Sequence, residues 1–251
     1  PASGVLVDDH LDLGLALFSP RREYSTTDSQ LGGQFGAFSL NGGVESDNEY
    51  FPIPYIAKNW RLADDRAFTI AFYGRGGMNT EYAIKAGPNP SASFDPDGPG
   101  PAPVMTFPGT YGAGVAGVNL NQAFLELTYS VKIDDVAIGI APVVAYQMFS
   151  AKGVGTFAPY TRTYAQSFLT TGMPAMPENL TDNGMDDSMG VGLKAGIIWN
   201  VTDRLALQTA YQSKINMSEF SEYSDLFAEG GSFDIPATAR VGMSFAATEQ
   251  V

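Results

Sequence analysis

Few residues in this chain could do chemistry, and their types point away from catalysis. There is no cysteine and a single histidine, His10, so thiolate chemistry and disulfides are excluded. No carboxylates cluster in an apolar setting where burial would set up an acid–base pair. No enzymatic activity, cofactor or metal is expected, and His10 reads as a surface side chain near the start of a strand. What remains is suited to contact with an oily solute. Two loop-like segments carry Val104, Met105, Phe107, Tyr111, Phe157, Tyr160, Tyr164, Phe168, Leu169, Met173 and Met176. Methionine adapts to irregular apolar partners, so the set could line a groove; packing of the two loops into a cap is an equal alternative. Tyr73-Gly74-Arg75-Gly76-Gly77 ends an apolar alternation with three glycines in four residues. Glycine there favours a bulge or bend in a strand, against the plainer reading of a strand end. Asp95-Pro96-Asp97-Gly98 has some look of a calcium loop but lacks the spaced ligands and terminal Glu, so loop solvation is expected.

The elements that position these residues are read from periodicity. Ala123, Leu125, Leu127, Tyr129 and Val131 alternate with Phe124, Glu126, Thr128 and Ser130. After Lys132-Ile133-Asp134-Asp135 the pattern resumes, with Val136, Ile138, Ile140, Val144, Tyr146 and Met148 on one face. Ala137, Gly139, Ala141, Val143, Ala145 and Gln147 fall on the other. A period of two on both sides of a turn predicts an antiparallel hairpin. Its arms exceed the roughly five or six residues usual in soluble sheets and suffice to cross a hydrocarbon core, which takes about 9–11. Pro142, inside a strand, forfeits a ladder bond, and a bulge is expected there.

Further strands are expected at Asp9–Phe18, Phe51–Leu62, Arg66–Met78, Ser188–Trp199, Leu205–Tyr211 and Phe233–Phe245, with a short one at Gln34–Leu40. Three turns share a layout of aromatic, short polar turn with Asp, then apolar alternation: Trp60 to Phe68, Tyr129 to Ile138, and Trp199 to Leu207. Aspartate suits tight turns, and an aromatic beside each turn suits a membrane boundary. Between the short turns the connections are long (79–117, 151–186 and 217–232). Short turns at one end and long loops at the other are the plan of a transmembrane β-barrel; a soluble β-sandwich is the alternative. By parity Lys194 and Lys58 face the lumen, as does Phe124, and Arg75 lies among the glycines.

Composition agrees. In 251 residues only 16% are charged against 12% aromatic, with 28 Gly, whereas soluble domains average about 25% charged. No run of about 18 apolar residues exists that would make a membrane helix. A net charge of −13 opposes nucleic-acid binding through phosphates. Pro1 has no initiator Met or signal region before it and Val251 closely follows a strand, so residues 1–251 read as one barrel domain incomplete at both ends.

Several stretches resemble the FadL/TodX family of Gram-negative outer-membrane transporters for long-chain fatty acids and other hydrophobic compounds. Pro1-Ala2-Ser3-Gly4 is similar to the tail of the family's Asn-Pro-Ala motif. Asp12-Leu13-Gly14-Leu15 and Ser19-Pro20-Arg21-Arg22-Glu23-Tyr24 are similar to its first wall strand and exit. Phe51 to Ala57 and Phe72 to Tyr82 resemble the next two strands. Tyr211-Gln212-Ser213-Lys214 and Phe233-Asp234-Ile235-Pro236-Ala237 are the most specific matches. The resemblance implies an all-β, fourteen-stranded barrel with a hatch, of which about eight strands are evident here and the hatch falls before Pro1. It further implies an outer-membrane location among lipid and lipopolysaccharide, and passive transport of a fatty acid or neutral hydrocarbon. Ligand would enter a groove among the outer loops, pass to a lumenal pocket and leave sideways at a kink in the third strand, where Tyr73, Gly74, Arg75, Gly76 and Gly77 stand. The ligand-binding candidates are then Met105, Phe107, Tyr111, Phe157, Tyr160, Phe168 and Met173 outside, with Phe124 and Lys194 within. A structural or adhesive barrel and a secreted lipid- or glycan-binding β-protein are the competing functions.

Overall fold

Alternating apolar residues can bury no common core in a single sheet unless one face meets something other than water, and the architecture follows from that. The computed structural model describes residues 1–26, 39–75, 77–83, 91–94 and 105–247, with backbone alone for 39–42, 91–94 and 105–108. In chain order the elements are β1 (His10–Phe18), β2 (Glu23–Thr26), β3 (Ser39–Glu45), β4 (Phe51–Ala63), β5 (Arg66–Arg75), β6 (Asn79–Tyr82) and β7 (Ser91–Phe94). There follow β8 (Met105–Pro108), β9 (Ala116–Ile133), β10 (Val136–Lys152), α1 (Arg162–Thr171), β11 (Asp186–Thr202), β12 (Leu205–Gln212), β13 (Asn216–Met217) and β14 (Thr238–Phe245). The main wall runs β1-β4-β5-β9-β10-β11-β12-β14, antiparallel at every step. A four-stranded sheet, β2-β3-β7-β8, forms from the connections.

The three Asp turns close β4–β5, β9–β10 and β11–β12, and all other wall connections are long, so the turns share one end of the sheet. Asp134 takes φ 50°, a left-handed conformation that Asp tolerates better than most residues. The first and third turns also share a register shift, at Arg61/Ala63 and at Asn200/Thr202. Trp60, Phe68 and Tyr129 lie on one row across β4, β5 and β9, as the beginning of an aromatic girdle would.

The outward face is apolar and uncovered: Leu13, Leu15, Ile56, Phe72, Leu127, Ile140, Val191 and Val241 are all exposed, Val241 to 87%. Such a surface needs lipid beside it. Among the described residues no helix is long and apolar enough to cross a membrane; the strands do the crossing. The inward face of β10 (Ala137, Ala141, Val143, Ala145, Gln147) is buried, as its alternation predicts.

Two segments cover the inner face. A 3-10 helix, Ala2–Leu6, lies against β9, β10 and β5, with Ala2 and Val5 buried on Ala67 and Ala137. Gly139 makes room for it, since a Cβ there would stand 2.4 Å from the Pro1 carbonyl. Asn59 holds it by donating to the Gly4 carbonyl at 3.0 Å. Further out, residues 213–237 fold inward as a strap, burying Ile215, Met217, Phe220, Tyr223 and Ile235. Ile215 and Ile235 exchange both backbone hydrogen bonds at the neck of the strap (2.9 and 3.1 Å). The wall is cut back for it: a Cβ on Gly190 would stand 2.5 Å from Met217 Sδ.

Three expectations change. The final strand begins at Thr238; Phe233 belongs to the strap, where its ring packs 5.0 Å from Phe227. Residues 151–186 include α1, started by Thr161, whose hydroxyl accepts from Tyr164 N–H, and stopped by Gly172 at φ 73°. Pro142 makes no bulge. The pairs Ile140↔Tyr129 and Val143↔Glu126 keep one register, with the two rungs between them missing, while Pro142 stays opposite Leu193 on β11. A proline with no N–H interrupts this ladder without adding a residue. Of the expected Gln34–Leu40 strand, residues 34–38 lie outside the described residues, and 39 and 40 are in strand.

Candidate functional site

The site forms where the wall comes apart. The β4–β5 ladder stops at Tyr55↔Tyr73, leaving Phe51–Pro54 of β4 without a strand partner on that side among the described residues. Pro52 and Pro54 can donate nothing to such a ladder. On the other flank β9 changes partner, from Arg75↔Gln122 on β5 to Asn79↔Asn119 on β6. Between those two pairs the register shifts by one residue, the mark of a bulge. Gly77 fits only as glycine, because a Cβ would stand 2.1 Å from the Leu120 carbonyl oxygen. Met78 O accepts from Leu120 N–H at 2.6 Å and restarts the ladder. Asn79 is held from both sides by Asn48 (2.7 Å) and Asn119 (3.0 Å).

The fork encloses a cavity of about 260 Å³ lined by Ile53, Pro54, Phe72, Gly74, Leu120 and Met148, among others. Its walls are mainly apolar and come from both faces of the sheet: Phe72 shares the outward row with Ile56 and Leu125, whereas Leu120 is part of a lumenal cluster. Arg75 lines this cavity and a second one of about 480 Å³ inside the lumen, with Tyr73, Glu126, Lys194, Gln212 and Arg240. An apolar cleft through the wall therefore adjoins a polar chamber. Such a pair can accommodate a solute.

The sequence candidates fall as follows. Tyr73, Gly74, Arg75 and Gly77 all border the fork; Gly76 lies outside the described residues, as do Val104 and Asp95-Pro96-Asp97-Gly98. Lys194 faces the lumen, but its ammonium is engaged by Glu126 Oε2 and Tyr73 OH, each at 2.5 Å. Phe124 is buried, its ring stacked on Tyr73 at 5.4 Å and 11°, and it packs with Ile215 and Ile235 of the strap. Lys58 does not face the lumen. It pairs with Leu11 and Ile70 on the outward rows, its ammonium 5.7 Å from the centre of the Trp60 ring, because a long lysine stem can lie along apolar surface. In the outer loops Tyr111 and Phe157 meet edge to face at 5.1 Å, with Tyr160 6.5 Å from Phe157, so these rings bring two loops together. Phe168, Leu169, Met173 and Met176 stay exposed on and after α1. Met105 and Phe107 lie on β8, paired with β7. Sequence reasoning missed Glu126, Arg240 and the strap. Glu126 shares the inward parity of Lys194, which is a signal, but β9 and β11 could not be set side by side without the register.

No protein-family model matches this sequence, and no curated protein matches it. Solved structures do. Two structures of the Pseudomonas putida toluene transporter TodX give TM-scores of 0.61 and 0.62 at 14% identity, over 99% of this chain and 61% of theirs. A FadL homologue from Pseudomonas aeruginosa gives 0.50 at 15%, over 99% and 60%. The chain spans about three fifths of the length of these structures. At such identity the likeness is one of fold: this chain has the transmembrane β-barrel fold of the FadL and TodX structures, its eight main strands hydrogen-bonded in one continuous sheet.

Proposed function

We propose that this chain belongs to an outer-membrane barrel that passes hydrophobic compounds passively and releases them sideways through the fork beyond Tyr73. The observation that carries this reading is the apolar cleft of about 260 Å³ set where two prolines and a glycine bulge end the pairing. A solute partitioning into lipid gains about 0.8 kcal/mol per CH₂ removed from water, so a greasy side exit needs no energy source. Tyr111, Phe157, Tyr160, Phe168 and Met173, with Met105 and Phe107 nearby in sequence, are the proposed outer contacts; Lys194 lines the chamber inward, with Phe124 a proposed contact that a solute would reach only by displacing the strap packed on it. The neighbours' names, a toluene transporter and a FadL homologue, agree with hydrophobic cargo. A neutral hydrocarbon and a fatty acid both suit the site. The first matches the cleft, and the carboxylate of the second would meet Arg75 and Arg240 in the chamber. Outer-membrane lipid would cover the apolar face, and divalent ions could join the acidic loops to lipopolysaccharide.

A Gly74→Leu variant tests the exit. A Cβ there makes ordinary contacts, 3.4 Å from Ile53 and 3.5 Å from Pro54, so the longer side chain fills the cleft while the ladder to β9 survives. Uptake of a radiolabelled hydrophobic solute should fall at least roughly tenfold, a barrier increase of about 1.4 kcal/mol, with normal folding in the membrane. Unchanged uptake would remove the lateral exit.

A structural barrel is the second reading, favoured by the strap that fills much of the outer lumen. Purification in mild detergent followed by mass spectrometry separates the two, since a transporter should carry hydrophobic molecules with it.

A further inference from the structure

Just inside the fork, side chains from three strands meet. Lys194 (β11) donates to Glu126 (β9) and to Tyr73 (β5), each at 2.5 Å. The Tyr73 hydroxyl in turn donates to Glu126 Oε2 at 3.2 Å. β10 runs between β9 and β11, and its residue opposite Lys194 is Ala141, small enough for the ammonium to cross over it. The same place is the weak point of the β9–β10 ladder, where the rungs at Ala141 and Pro142 are missing. Tyr73 is also the last residue of β5 paired with β4. The network therefore bridges an interrupted seam at one end and holds the final closed rung at the other. Its charges are largely withdrawn from water, with side-chain exposures of 19% for Lys194 and 12% for Glu126. Half-buried ion pairs add little net stability because desolvation offsets the attraction; what they supply is a fixed geometry.

We propose that Glu126, Lys194 and Tyr73 are a latch: positioning residues that tie β5 to β11 across the Pro142 seam, fix the inner lip of the fork, and so set the largest solute that the opening admits. The latch rests on the lateral-exit reading for its role in transport, but not for its effect on the width of the fork. With the latch intact, Tyr73 stays stacked on Phe124 and the cleft keeps its width. With Glu126 neutralised, Lys194 loses its counter-charge, the charge-assisted bonds that draw Tyr73 inward weaken, and the β5 end is free to swing away from β4.

The chain has no native cysteine, so nitroxide labels at Ile53→Cys and Ala123→Cys, both lining the cleft, measure its width in detergent-solubilised protein. In Glu126→Gln and in Tyr73→Phe the distance distribution should broaden toward longer values. The uptake ratio of a bulky to a small hydrophobic solute should rise roughly tenfold, the lower end of what one misfitting methylene discriminates in a pocket. Exchanging the charges, Glu126→Lys with Lys194→Glu, should restore both readings. A merely structural pair would instead depress uptake of all solutes together and leave the ratio alone. If Glu126→Gln fails to fold, a Pro142→Val background, which returns an amide to β10, keeps the distance measurable. An unchanged distance distribution in folded Glu126→Gln overturns the latch. A widened fork in a protein whose parent carries no hydrophobic solute would uphold the latch and remove the lateral exit.

Discussion

Gly77 and Gln147 show how much a single residue can decide here, in opposite directions. A side chain at Gly77 would meet the backbone of Leu120, at 2.1 Å from its oxygen and 2.9 Å from its carbonyl carbon, and backbone cannot rotate away as a side chain can. Gly77→Val should therefore peel β6 from β9. Hydrogen exchange at Leu120, whose amide bonds Met78 O, should rise while exchange in the β11–β12 hairpin stays as it is. Gln147 is the converse case. It is fully buried and, among the described residues, neither carboxamide atom has a hydrogen-bond partner, with Ala145 and Phe149 on either side of it along the inner face, both packed against the strap. An unsatisfied buried amide costs roughly 1–3 kcal/mol, so Gln147→Leu should stabilise the protein by about that amount in urea unfolding, and a destabilised variant would show that the amide is bonded. Residue type alone made the glycine break legible, because its cause is local. Parity read from the sequence puts Lys58 on the lumenal side, whereas register puts it on the outward rows with its ammonium near Trp60. The partner of Lys194 was out of reach, since Glu126 is 68 residues away in sequence and only register joins them.

At the scale of elements, hairpins were readable because each face of a strand has one fate, and the strap was not because its fate depends on a surface assembled from three other strands. Phe220 and Tyr223 have no period of their own; they are buried because Phe149 offers them an aromatic cluster, with centroids 5.6 and 5.0 Å away. The strap also has a charged neck. Lys214 Nζ lies 2.6 Å from Asp234 Oδ2, and Asp234 accepts from Met217 N–H at 2.8 Å. The Lys214 hydrogen bond, then the Met217 amide, hold the Asp234 carboxyl below the usual carboxylate range. The same hydrogen bond to Asp234, with its charge, holds the Lys214 ammonium above the usual lysine range. A depressed acid stabilises the fold above its unfolded pKa and loses that contribution as pH falls through the folded value. A raised lysine contributes below its unfolded pKa and loses it as pH rises through the folded one. Protection of the Ile215 and Ile235 amides, corrected for intrinsic exchange, should thus be flat between about pH 5 and 9 and fall below about pH 4. The ion pair is solvent-exposed, so the loss should be small and reduced further by salt; a step near neutrality would assign the neck to a different group.

For the whole molecule the decisive asymmetry is between the two faces of one sheet. The outer face carries Leu, Ile, Val and Phe in the open, and the inner face carries Glu126, Lys194, Gln212 and Arg240 around a chamber of about 480 Å³. In water this arrangement is upside down, since the exposed side is the greasier one. It is a stable arrangement only when hydrocarbon lies outside and a polar lumen within. The same asymmetry makes a paired prediction that no soluble sandwich would share. Val144→Arg places a charge among the lipid-facing residues, paired with Leu125 and Val191 at the middle of β10, and should cost about 2–4 kcal/mol. Thr238→Arg places the same charge on the wall of the lumenal chamber and should cost well under about 1 kcal/mol, in line with the small effects of substitutions at hydrated positions. Reversible urea unfolding in phospholipid vesicles measures both. A soluble sandwich would bury the row of Val144 in a dry interior, and then Val144→Arg would prevent folding in detergent-free buffer as well. In the barrel the parent itself should fold only with lipid or detergent present, and equal costs for the two arginines would contradict a membrane-facing wall.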